Sequence, residues 1–251
     1  MKDNNKKNIN LNPKKIIIFL IILIIILICS FLYKILIYDQ QEQKITAVKN
    51  NSSETSTTES TTNTEIDLNS YTLLLNKNSN PLDSTFVPSD LVDPENVTST
   101  TGVFEVRQEV ATQLQSMVQA AGNDGITLLV SLGYSSYEEQ DQMYTTQVSL
   151  LKEAKASLAC PKAGYSEHQL GLAVDFTDST ESNNQSSSFK DTDAYVWLVE
   201  HAHEYGFILR YPEDKESVTG YSYEPWHFRY VGVEDATAMH EQNLTMEEYY
   251  K

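Results

Sequence analysis

The chain has 251 residues and a formal net charge of −17, and the charge is unevenly placed. The first 38 residues carry six lysines and one acidic residue, whereas positions 39–251 carry a net of −22. So acidic a main body excludes a nucleic-acid or anionic-lipid binder of the usual basic-patch kind.

Residues 16–33 (IIIFLIILIIILICSFLY) are free of charge, and ILIY extends the apolar character to position 38. At 1.5 Å per residue this run crosses a hydrocarbon core of about 30 Å. The expectation is therefore a cytoplasmic tail over 1–15 and a transmembrane anchor over 16–38. Lys2, Lys6, Lys7, Lys14 and Lys15 hold the N-terminus in the cytoplasm, so all that follows lies outside the cell membrane. A cleaved signal peptide is the competing reading. It is disfavoured by the length of the run and by the lack of a small-x-small site after it. A lipoprotein signal needs a small residue before Cys29, where Ile28 stands. Residues 39–68, rich in Ser, Thr, Asn, Gln and Glu, bury too little to offset their ordering entropy and are expected to be a flexible linker. Cys29 lies in the apolar run and Cys160 in the main body, which speaks against a disulfide and a Cys-rich metal site. Cys160 is read as a small packed residue with no part in chemistry.

The folded domain is expected over 69–251. Val110, Leu114, Met117, Val118 and Ala121 form a helical stripe within 103–121, ended by Gly122-Asn-Asp-Gly125. Ile126–Leu132 is β-prone, and Ser136 with Glu139 forms a capping box opening a helix to about Ala156. Leu172–Phe176, Phe207–Tyr211 and Trp226–Val231 read as strands, and Asp193–Tyr205 as a helix closed by Gly206. This order gives an α+β domain: a small, mostly antiparallel sheet with flanking helices.

Two segments carry chemistry: Gly164-Tyr-Ser-Glu-His168-Gln-Leu-Gly-Leu-Ala-Val-Asp175 and Glu224-Pro-Trp-His227. Hydrolytic zinc needs three His or carboxylate ligands and an open fourth position, together with a carboxylate off the metal to carry a proton. His168, Asp175 and His227 supply the first requirement, and Glu224 the second. His201 and His203 also form an H-x-H pair, but on a helix i and i+2 point about 200° apart, so they cannot share one metal. They are read as helix-surface residues, and His240 has no evident partner.

The pattern S-x-H-x6-D followed by E-x-W-H resembles the D-alanyl-D-alanine carboxypeptidases of the VanY type. These sit in a wider group with VanX, lysostaphin-like peptidases and the hedgehog signalling domain. The resemblance extends over Tyr71–Leu91, Gly164–Phe176 and His203–Gly232 and so covers about 70–235. It implies Zn2+ on the sheet, held by His168, Asp175 and His227, with Glu224 as general base and acid. It further implies substrate contacts from Ser166, Gln140, Tyr211 and Trp226. One position departs from the pattern. The family has Ser-Gly-Tyr-Arg-Ser before its helix, with the Arg facing substrate, whereas here Ser135 takes the Arg position. A hydroxyl cannot clamp a carboxylate in bidentate fashion. The site then runs with a weaker clamp, borrows Arg107, Arg210 or Arg229, or takes a different substrate end such as D-Ala-D-Lac. The leading expectation is a zinc D,D-carboxypeptidase that trims D-Ala from peptidoglycan stem peptides or precursors. At the family level this is linked to glycopeptide resistance. The alternatives are an L,D-carboxypeptidase or endopeptidase on the same polymer, and a non-catalytic wall-binding or sensor domain.

Overall fold

The computed structural model describes residues 67–79, 81–178 and 184–250. The expected tail, anchor and nearly all of the linker lie outside the described residues. Among those described, no helix is long and apolar enough to cross a membrane. Residues Glu65–Lys251 form one compact unit.

Four strands make the sheet that carries the site. They are β3 (Leu129–Leu132), β4 (Ala173–Thr177), β5 (Phe207–Leu209) and β6 (His227–Tyr230), in the order β3-β4-β6-β5, and every pairing is antiparallel. β4 and β6 lie in the middle, and all their residues are buried. Their sequences, AVDFT and HFRY, mix apolar with polar side chains, so burial of both faces places Asp175, His227 and Arg229 inside the protein. A two-residue ribbon, β1 (Leu91–Val92) with β2 (Val106–Arg107), lies apart from this sheet. It is why the first long helix, α1 (Gln108–Asn123), begins five residues later than the expected 103. The backbone of Val106 and Arg107 is taken up by strand pairing, and Arg107 N also donates to Gly171 O. Val110, Ala111, Leu114, Met117 and Ala121 then form the buried face of α1, which joins β3, β4 and β6 in the main core.

The capping box at Ser136 and Glu139 opens α2 (Tyr137–Leu151), as the spacing predicts. The single helix expected to Ala156 is two helices. Lys152 adopts φ 66°, ψ 156° and hands the chain to α3 (Glu153–Ala159). That break turns Ala156 inward and brings the Pro161 carbonyl back to Gln140 of α2. Asp193–Tyr205 begins as α4 (Asp193–His201), capped by Thr192, and tightens into a 3-10 turn over Ala202–Tyr205. It ends at Gly206, whose φ is 84°; a Cβ there would meet the Tyr230 ring at 2.6 Å. After the four-residue helix α5 (Glu216–Thr219) and β6 come α6 (Val233–Gln242) and α7 (Met246–Tyr249), elements the sequence reading left unassigned. They carry a second apolar cluster of Ile208, Val231, Ala236, Met239 and Met246.

Candidate metal centre and its cavity

Asp175 and His227 face each other directly across the β4–β6 ladder. Their placement is therefore fixed by strand register, where a one-residue slip of either strand would turn its side chain to the other face and part the pair. His168 arrives from the 3-10 turn Glu167–Leu170, which Ser166 caps by accepting a hydrogen bond from His168 N at 3.3 Å. Gly171, at φ 65°, turns the chain from that helix into β4. Asp175 Oδ1 lies 3.3 Å from His168 Nε2 and 2.9 Å from His227 Nδ1. One donor atom from each of the three buried residues lies within 4.8 Å of the others. Two imidazoles and one carboxylate converging on a point, with nearby space for a further ligand, fit the donor set of a catalytic zinc site.

The outer contacts orient these groups. His168 Nδ1 lies 2.7 Å from Gly133 O, a carbonyl that can only accept, so the Nδ1 proton points there and Nε2 faces the cluster. Asp175 Oδ2 accepts from Gln185 Nε2 at 2.8 Å. Burial alone would raise the Asp175 pKa, but His168 and His227 more than offset this and hold the carboxyl well below its usual range. In the metal-free molecule burial disfavours the charged His227 ring, yet its bonds to Asp175 and Glu167 raise its pKa to about 10.

Glu224 precedes His227 by one turn, with Pro225 and Trp226 at the two central positions. His227 N donates to Glu224 O at 3.2 Å and Glu224 N to Tyr211 O at 3.1 Å. Proline suits the first central turn position because its φ is already set. The turn brings the Glu224 side chain into the cavity beside the metal ligands, where it is only 7 % exposed. Burial raises its pKa to about 8, with the charges of Asp175 and Glu167 adding to the effect and His227 opposing it.

The cavity has a volume of about 730 Å³, and His168, Asp175, His227, Glu224, Tyr211 and Trp226 are among the residues that line it. Ser135, Gln140 and Ser166 also line it, so the structure brings every sequence-derived site residue to one space. Ser135 is buried, and its N donates to His168 O at 3.3 Å. Gln140 is already engaged: its Nε2 donates to Pro161 O at 2.8 Å. None of the three arginines considered as substitutes lines the cavity. Arg107 pairs with Asp90 at 2.9 Å, Arg210 with Glu167 and Glu247 at 2.8 and 2.7 Å, and Arg229 with Glu167 at 2.8 Å. Among the described lining residues every side chain is neutral or acidic except the histidines.

Three details depart from expectation. Cys160 lines the cavity beside Gln140, though burial and the Glu224 charge push its thiol up to about 11 and keep it unreactive. His240 does have a partner: it stacks on His203 with ring centroids 3.8 Å apart, while His201 pairs with Glu204. Glu167 and Gln185, which touch the ligands, were not singled out in the sequence. The signal for Glu167 was available in Arg210 and Arg229. Each follows an apolar strand residue (FILR, HFR), and arginines buried in a core require a buried anion.

The model of the VanY D-alanyl-D-alanine carboxypeptidase family matches residues 104–233. YodJ of Bacillus subtilis (strain 168) is 39% identical over 173 residues, covering 68% of this chain and 63% of YodJ. The chain thus spans somewhat under two thirds of that relative's length. Among solved structures, the LD-carboxypeptidase LdcB aligns with TM-score 0.65 and 39% identity over 70% of this chain and 84% of LdcB. A mutant of the vancomycin-resistance D,D-pentapeptidase VanY from a VanB-type cassette, in complex with Zn(II), aligns with TM-score 0.61 and 34% identity. That match covers 72% of this chain and 99% of the other.

Proposed function

The chain belongs to the VanY D-alanyl-D-alanine carboxypeptidase family, and we propose that it removes the terminal D-Ala from peptidoglycan stem peptides ending in D-Ala-D-Ala. The observation that carries this reading is the placement of Glu224, a buried carboxyl of raised proton affinity, in the same cavity as the convergent His168, Asp175 and His227. These three residues would hold zinc through His168 Nε2, an Asp175 oxygen and His227 Nδ1. When bound, the ion supplies Lewis acidity and makes water acidic enough to react at neutral pH.

The chain's own residues do the rest. Glu224 takes a proton from the attacking water as its oxygen bonds to the penultimate carbonyl carbon. It then delivers that proton to the departing amine nitrogen as the C–N bond breaks. Its raised affinity for a proton suits it to hold that proton between the two halves. Ser135 and Ser166 offer hydroxyls, and Trp226 and Tyr211 offer apolar faces, to orient the peptide. The test is mass-spectrometric product analysis of the full-length chain on synthetic stem peptides, with and without chelator. Chelator-sensitive release of D-Ala from the pentapeptide is expected. No release from any stem sinks the proposal.

An L,D-carboxypeptidase acting on the tetrapeptide stem is the second reading. It is favoured by the likeness to LdcB at 39% identity. The same assay separates the two, because this activity releases D-Ala from the tetrapeptide instead. We further propose that the domain works outside the cell membrane, held by the apolar run 16–38.

A further inference from the structure

Glu167 has a fully buried side chain beside His227 and belongs to no part of the chemistry described above. Its Oε1 accepts from Arg210 Nε at 2.8 Å and lies 2.8 Å from Arg229 Nη1, while Oε2 is 3.4 Å from His227 Nε2. The two arginines are themselves anchored. Arg210 donates through both terminal nitrogens to Glu247 on α7, at 2.9 and 2.7 Å. Arg229 donates to the carbonyls of Tyr71 and Leu73 at 2.9 and 3.0 Å. Two cations and two carboxylates balance, so this group adds no net charge beside the metal ligands.

We propose that Glu167 is the positioning residue for His227, and this rests on the reading of His168, Asp175 and His227 as a zinc site. A neutral imidazole carries one proton, and its other nitrogen is the one free to bind a metal. Glu167, kept as an acceptor by Arg210 and Arg229, draws the His227 proton to Nε2. Nδ1 is then left bare toward Asp175. His168 is set in the opposite sense, its Nδ1 proton held by the Gly133 carbonyl. The two histidines thus offer different nitrogens to one ion, each fixed by its own outer partner. Glu247, Tyr71 and Leu73 lie outside the stretch 104–233 that matches the family model, so the ends of this domain brace its metal ligand. Outer carboxylates of this kind typically change metal affinity 10- to 100-fold when removed.

The experiment uses the full-length chain. Long-range nitrogen–proton NMR of its five histidines, loaded with zinc, reports which nitrogen of His227 carries the proton. A proton on Nε2 and metal on Nδ1 are expected, and metal on Nε2 overturns the proposal without any variant. Zinc affinity is then measured by competition with a chromophoric chelator for Glu167→Gln and Glu247→Gln, alongside the melting temperature of each metal-free protein. Glu167→Gln is expected to weaken zinc about 10- to 100-fold. Glu247→Gln, which leaves Glu167 in place, is expected to lower the melting temperature but keep zinc affinity within about 3-fold of wild type. Unchanged affinity in Glu167→Gln, or equal losses in both variants, overturns the proposal, since a role in packing alone treats the two alike. Wild type that binds no zinc at these residues sinks the metal-site reading itself.

Discussion

Glu224 and Ser135 sit in one cavity but differ in what the sequence could say of them. Glu224 was legible because a proton carrier beside a metal must be a carboxylate close to a ligand, and a three-residue turn sets that distance. Its raised pKa was not legible, since burial comes from the whole sheet. That shift has a measurable consequence in the metal-free protein. A carboxyl that holds its proton to about pH 8 when folded, but loses it near 4.5 when unfolded, costs stability progressively between those values. His227, raised to about 10, gives stability that is complete below its ordinary value of 6.5 and lost as pH rises toward 10. Both groups therefore make the chelator-treated protein less stable as pH rises from 5 to 9. Glu224→Gln should remove the first part, on the order of a few kcal/mol. Denaturant melts at pH 5 and pH 8 should show it little changed at the lower pH and more stable than wild type at the higher. Equal effects at both would contradict the buried, protonated carboxyl. Ser135 raises the opposite question, since no arginine of the chain reaches the cavity to replace the missing one. Ser135→Arg, projecting from beside His168, should raise kcat/KM on stems with a free terminal carboxylate by about 10-fold or more. A loss of activity would mean that neutral donors already satisfy the substrate.

At the scale of elements, the four sheet strands were recovered to within three residues at each end because short runs of β-branched and aromatic residues mark them, as in AVDFT of β4 and HFRY of β6. The capping box marked the start of α2 for an equally local reason. The break within the expected 136–156 helix had no such mark. Nothing in Leu150-Leu151-Lys152-Glu153 interrupts helical propensity, and the contact that accompanies the break, Gln140 to the Pro161 carbonyl, joins residues 21 apart. The ribbon at Val106–Arg107 was hidden for the same reason, its partner strand lying fifteen residues upstream. Lys152 now occupies a backbone region that essentially only glycine adopts freely, and its side chain is exposed. Lys152→Gly should therefore stabilise the domain by about 1 kcal/mol, raising the melting temperature by roughly 2–4 °C. A lower melting temperature would show that the added freedom of the unfolded chain outweighs the relief of strain.

For the whole molecule, the proposed activity needs the cavity on the side of the membrane where mature peptidoglycan lies, and the charge distribution bears on this. The five lysines before residue 16 oppose passage of the N-terminus, while the acidic body after residue 38 meets no such barrier. Between them lies the thirty-residue segment 39–68 expected to be a linker. A flexible chain of that length has a root-mean-square span of roughly 30 Å. A proteolytic cut is expected in its Ser/Thr-rich stretch, ahead of the compact unit Glu65–Lys251. Brief protease treatment of intact, wall-stripped cells should therefore release a soluble fragment that begins near residue 65 and retains chelator-sensitive activity. A tag placed before Lys2 should stay protected until the membrane is opened. Protection of the domain in intact cells, with digestion of the N-terminal tag, would reverse the proposed orientation and leave the cavity facing only cytoplasmic precursors.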